Sequence, residues 1–222
     1  MLTLIYTVYV TIKKGCDAHS LTTFVALLVA GHILTGCSSA PPAPPVQTSD
    51  NTETSETLDL STLNPNQQSQ YENAVKLLAN GDADNAERIF ESLSQAKPEF
   101  AGTWANLAII EYNRKDLESA KALAQRGLSL NPNSAQLSNL LGRIENDQGR
   151  FKEAENYYGQ AIAINSDYAI AHYNLALLYD IFYQQIDLAV VHYRRYLEIT
   201  GYQDQGTESW VQQLERTISS RQ

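Results

Sequence analysis

Residues 101–134 read AGTWANLAIIEYNRKDLESAKALAQRGLSLNPNS, and the landmarks of this segment return at one fixed spacing on both sides of it. It holds Trp104-x2-Leu107-Ala108, then Ala120-x3-Ala124, and closes on Pro132. Thirty-four residues upstream stand Ala86-x3-Phe90 and Pro98. The same distance downstream stand Leu141-Gly142, Ala154-x3-Tyr158 and Ala161, with Ser166 in the place of the proline. A further unit starts at Ala169 and carries His172-x2-Leu175-Ala176-x2-Tyr179, followed by Ala189-x3-Tyr193 one residue late, so a single insertion sits near Gln184. Gly81 and Gly149, two periods apart, share one turn position.

A period of this length is the mark of stacked helical hairpins. Two antiparallel helices of about 14 residues, each about 21 Å long, approach closely only where the crossing side chain is small. Ala108, Gly142, Ala176 and the alanines of each second helix meet that need, and Trp104, Phe90, Tyr158, Tyr179 and Tyr193 fill the spaces between hairpins. One hairpin cannot bury its apolar face alone, so several must stack. The expected fold is therefore all-α: a solenoid of about four hairpins over 67–200, in units 67–100, 101–134, 135–168 and 169–203. A C-terminal helix at 204–222 would cover the open end with Trp210, Val211, Leu214 and Ile218. Asn64-Pro65 and Asp116 read as helix starts, and Ser166 or Asp167 as the cap of the helix near Tyr168.

The recurring residues resemble the tetratricopeptide repeat, whose frame is W-x2-L-G-x2-Y…A-x3-F…P. The first unit departs from it in helix A, with Gln70, Asn73 and Ala74 where Trp, Leu and Gly are usual. The resemblance implies a scaffold that holds a protein or peptide partner in a concave groove lined by the first helix of each hairpin. Carried over position by position, the groove would be formed by Tyr71, Val75 and Leu78, then Ala105, Ile109, Tyr112 and Asn113. It would continue through Gln136, Asn139, Arg143 and Asn146 to Tyr173, Leu177 and Asp180. Such a groove is apolar and aromatic at both ends and polar in the middle, which suits an extended or helical peptide, with Tyr112 and Tyr173 as anchors.

Residues 1–36 read as a targeting segment. Lys13 and Lys14 precede an apolar run from Phe24 to Leu34, too short to span a bilayer, which needs about 20 residues. The run ends in Leu34-Thr35-Gly36-Cys37, which looks like the lipobox of bacterial lipoproteins. That resemblance implies cleavage before Cys37 and acylation of Cys37, hence a membrane anchor; Ser38 in the next place points to a periplasm-facing position at the outer membrane. An uncleaved membrane segment is the alternative. Met1 to Ile12 is a second apolar stretch upstream of the lysines, consistent with a translation start further downstream. Residues 37–66, rich in Pro, Ser, Thr and acids, are expected to form a disordered tether.

Other chemistry is sparse. With 25 acidic against 16 basic residues the chain has no footprint for nucleic acid. Its two cysteines, Cys16 and Cys37, both precede the repeats. There is no H-E-x-x-H, phosphate loop or dinucleotide fingerprint. His172 and His192 read as structural, so no enzyme, cofactor, metal or small-molecule substrate is expected. The composite expectation is a lipid-anchored adaptor assisting an envelope complex, similar to the pilotins of type IV pili or to TonB-associated repeat proteins, with recruitment of peptidoglycan enzymes as the alternative.

Overall fold

The computed structural model describes residues 59–221. The expected signal segment, Cys37 and the tether as far as residue 58 lie outside the described residues. Among the described residues there are nine α-helices and no strand. They are α1 (Pro65–Ala79), α2 (Ala83–Ala96), α3 (Ala101–Arg114), α4 (Leu117–Leu130), α5 (Ala135–Asp147), α6 (Phe151–Ile164), α7 (Ala169–Leu177), α8 (Ile186–Ile199) and α9 (Gln205–Ser219). The chain forms four antiparallel hairpins, α1/α2 to α7/α8, stacked as a tetratricopeptide-like solenoid with α9 packed on α8.

The small residues that set the period lie at the crossings. Ala74, Ala86, Ala108, Ala120, Ala154, Ala176 and Ala189 all have 0% exposure. At Gly142 the approach is tighter still: a Cβ there would lie 2.5 Å from Cε1 of Tyr158. Helix starts follow ordinary capping chemistry. Asn64 and Gln67 form a reciprocal capping box with Pro65 in the first turn, and Asp82, Asp116, Ser134 and Asp204 each accept a backbone N–H with their side chains. The helix after Asn165 differs from expectation. Tyr168 is its N-cap without a side-chain bond, and Asp167 is instead held by Arg195.

Residues 59–64, expected to belong to the tether, are placed against the first hairpin. A 3-10 turn spans Leu60–Thr62, Leu63 is buried in the first core cluster, and Gln68 donates from Nε2 to the carbonyls of Leu60 (2.7 Å) and Leu63 (3.1 Å). Two leucines in a polar run suffice to fix this segment because α1 offers them apolar surface and an amide.

The inner turn of every hairpin uses one left-handed residue at the same place: Gly81 (φ 84°), Lys115 (φ 69°), Gly149 (φ 76°) and Gln184 (φ 54°). In the fourth hairpin the extra residue is taken up within the helix. Residues Leu178–Tyr183 continue α7 as a π-helical turn, whose wider i→i+5 loop accommodates one residue more. Ala189 and Tyr193 thereby return to full burial, both at 0% exposure, although they arrive one residue late.

Candidate functional site

The first helices of the hairpins, α1, α3, α5 and α7, form one edge of the stack, where α3 touches α5 and α5 touches α7. Hydrogen bonds cross each junction along that edge. Asn106 donates to the hydroxyl of Tyr71 (2.9 Å), Tyr112 to Oδ2 of Asp147 (2.9 Å), and Asn174 to Oδ1 of Asn139 (2.9 Å). Each pair is 35 residues apart, one period plus one.

These contacts divide the residues expected to line the groove. Tyr71 is 6% exposed, set edge-on against Phe90 and Phe100; Asn139 is 2% exposed; Tyr173 is 0% exposed, set edge-on against Tyr193 and Tyr196. Tyr71 and Asn139 are packing residues of the junctions, while Tyr173 packs inside its own hairpin and, fully buried, offers no surface to a partner. Tyr112 departs from expectation as well. It is 7% exposed, its hydroxyl is committed to Asp147, and its ring lies under Arg143 (4.5 Å to the centroid) and Lys115 (5.0 Å). Burial pushes its phenol up to about 12, so it remains a neutral donor.

Asp180 is also engaged by its own chain. Its Oδ2 accepts from Nε1 of Trp210 in α9 (2.8 Å) and from the hydroxyl of Tyr193 (3.3 Å). Burial raises its pKa above the usual carboxylate range, partly offset by those two donors. The capping helix therefore closes the C-terminal end of this edge.

What stays accessible is the stretch between. Ile109 is 39% exposed, Asn113 and Gln136 are exposed, and Val75, Leu78, Ala105, Arg143, Asn146 and Leu177 are half-buried. The accessible side chains are apolar on α1 and at Ile109 on α3, and amides with one guanidinium on α5. Charge on the neighbouring flank is set by Arg114, which binds Asp84 (2.9 Å), Glu87 (2.6 Å) and Glu111 (2.9 Å). Sequence reading missed Asn106, Asn174 and the Tyr112–Lys115–Asp147 cluster. Polar residues recurring at one period plus one were the available signal.

Two family models match the chain, one described as tetratricopeptide repeat over residues 77–144 and one described as TPR repeat over residues 142–185. Among solved structures, PilF of Pseudomonas aeruginosa is similar at 17% identity, with 68% of this chain and 69% of that one covered and a TM-score of 0.61. TTC0263, a thermophilic TPR protein of Thermus thermophilus, is similar at 22% identity, with coverage of 70% and 84% and a TM-score of 0.57. The MamA protein is similar at 21% identity, with coverage of 69% and 94% and a TM-score of 0.52. At these identities the likeness is one of fold. No curated protein matches.

Proposed function

Since residues 77–185 are tetratricopeptide repeats within an all-helical solenoid, we propose that this protein is a lipid-anchored interaction scaffold of the cell envelope. It holds a partner segment along the exposed part of its first-helix edge, without catalysis of its own. The observation that carries this reading is Ile109, a large apolar side chain 39% exposed in the middle of the array. Asn113, one helical turn further on, is exposed as well, and the other first helices carry half-buried Val75 and Leu78 on α1 and exposed Gln136 on α5. An apolar anchor point with amides beside it binds a peptide through burial and orients it through hydrogen bonds. Anchoring is supported by Leu34-Thr35-Gly36-Cys37, with acylation at Cys37 and the outer membrane as the place of attachment. The partner is a protein of an envelope complex, of the secretin or TonB-associated kind.

A photoreactive residue at position 109, introduced in intact cells and read by mass spectrometry, tests the surface. Recovery of an envelope-complex component supports the scaffold role, and a peptidoglycan enzyme would move it to recruitment of those enzymes. Background proteins alone, from a folded array, would exclude this edge as the docking face. Palmitate labelling that persists in a Cys37→Ser variant would exclude the anchor separately.

A further inference from the structure

The outward face of α8 combines apolar exposure with an ordered set of charges. Two of the four large apolar side chains exposed among the described residues stand on it one turn apart, Leu188 at 43% and Val191 at 60%. Such residues need no explanation when scattered singly, but neighbours rimmed by charge mark a contact surface. Beside them a cleft of about 370 Å³ opens between α6 and α8, lined by Ile162, Ser166, Val191, Arg195 and Glu198. The hydrogen-bonded pair His172 and His192 (3.1 Å) completes its lining.

Val191 is the centre of the exposed stripe, and opposite charges flank it along the helix. Asp187 lies four residues before it, and Arg194 and Arg195 three and four residues after it. Among the described residues Asp187 makes no ion pair, Arg195 binds Asp167 and Glu198, and Arg194 binds Glu215 of α9. The Arg194 side chain nevertheless stays 59% exposed.

We propose that this face is a self-recognition surface, on which a second copy of the chain docks its own α8 in the antiparallel sense about a two-fold axis at Val191. Residues equally far from Val191 on its two sides then stand level, at about 1.5 Å of rise per residue. Asp187 of each copy meets Arg194 and Arg195 of the other, and the two valines meet at the axis. The order of charges makes the face its own complement, as an isologous contact requires. A parallel copy would set aspartate beside aspartate and arginine beside arginine, which repel.

The same symmetry fills the cleft. Leu188, His192 and Arg195 are spaced i, i+4 and i+7, so Leu188 stands on the flank of α8 that borders the cleft. The two-fold keeps like flanks together and brings Leu188 of the second copy level with Arg194, just beyond Val191. It enters the cleft between Ile162 and Val191, under the aliphatic stem of Arg195. One helix face is smaller than the roughly 800 Å² per partner of a standard interface, so the pair forms and parts readily. Because α8 is a second helix, the contact leaves the first-helix edge open. A pair presents two such edges at once, which multiplies the affinity for a partner with repeated sites.

The test is disulfide trapping of the full chain in mild detergent. On oxidation, Val191→Cys is expected to give a covalent dimer in roughly fivefold higher yield than Gln125→Cys, placed on the exposed face of α4. The unaltered chain, with Cys16 and Cys37, sets the background. In the Val191→Cys chain, Asp187→Lys or Arg194→Asp alone should cut the yield roughly fivefold, because each sets two pairs of like charges in contact. Mixing the two variant chains should restore it, since the mixed pair regains both opposite-charge contacts. Recovery on mixing also shows that both variants fold. A yield no higher than at position 125, or no recovery on mixing, would overturn the contact. So would a disulfide from position 191 to Cys16 or Cys37 of the same chain, or capture of a different protein at 191 in intact cells, which would assign the face to that occupant.

Discussion

Asn174 donates from Nδ2 to Oδ1 of Asn139 at 2.9 Å, joining the third and fourth hairpins through two amides 35 residues apart. Asn139 is 2% exposed, so the bond is made away from water on one side, where an unmade partner is costly. Asn139→Ala is expected to lower stability by about 1–2 kcal/mol in urea denaturation. The double variant with Asn174→Ala should lose less than the two single losses combined, because the pair acts as a unit.

Among the glycines of the array, Gly142 marks the closest approach. Alanine would gain about 1 kcal/mol in helix propensity, but its Cβ would stand 2.5 Å from a ring carbon of Tyr158, a residue only 2% exposed and unable to swing away. Gly142→Ala is expected to be destabilising by a net of about 1–3 kcal/mol, read as a lower urea midpoint at unchanged slope. Adding Tyr158→Leu should restore part of that loss.

The left-handed corner of the fourth hairpin is held by Gln184 at φ 54°, where the first and third hairpins use glycine. A non-glycine residue there costs on the order of 1 kcal/mol. Its side chain is exposed and has no role in the core. Gln184→Gly is expected to raise stability by about 0.5–1 kcal/mol, measured as a higher midpoint of thermal unfolding.

Acid should loosen the fourth hairpin. Burial and the neighbouring His172 hold His192 at about 4, and burial holds His172 below its usual value as well. Nearby, Arg195 opposes protonation of His172 and Asp167 favours it. The folded pKa is depressed, so between pH 6.5 and about 4 the unfolded chain binds protons that the folded chain does not. Stability is full above that window, falls as pH drops through it, and levels off below it. Solvent reaching the cleft screens part of the shift, leaving roughly 1–2 kcal/mol. Urea denaturation at pH 7.5 and 4.5 checks this: a double His172→Gln, His192→Gln variant should show a smaller difference between the two.

The period of the array was legible because it is written in residue size. Ala86, Ala120 and Ala154 are small where helices cross, and all three sit at 0% exposure. The insertion near Gln184 was legible as one late residue, but not its form, because a π-turn and a longer loop shift the downstream alanines equally. The accessible surface was less legible. Position within a helix tells which way Tyr71, Asn139 and Tyr173 point, but not how closely the next first helix covers the first two, or how the rings of Tyr193 and Tyr196 enclose the third. That distance depends on the small residues at the crossings and on partners such as Asn106 and Asn174 in the neighbouring unit. The engagement of Asp180 by Trp210 was hidden for the same reason, since the hydrophobic stripe of α9 gave no hint that its indole nitrogen would reach an acid in α7's continuation.

The bonds spaced at one period plus one lie along a single edge, and this gives the coil a mechanical grain. Each junction carries one, from Tyr71–Asn106 through Tyr112–Asp147 to Asn139–Asn174. The junctions bury apolar surface too, as Phe90 and Leu93 of the first hairpin do with Leu107 and Ile110 of the second, but their helices touch less extensively than the paired helices inside each hairpin. Under tension the protein should lengthen by parting whole hairpins along that edge before any helix unravels, and recoil when released. A scaffold fixed at one end and loaded at the other would then behave as a short spring with four links.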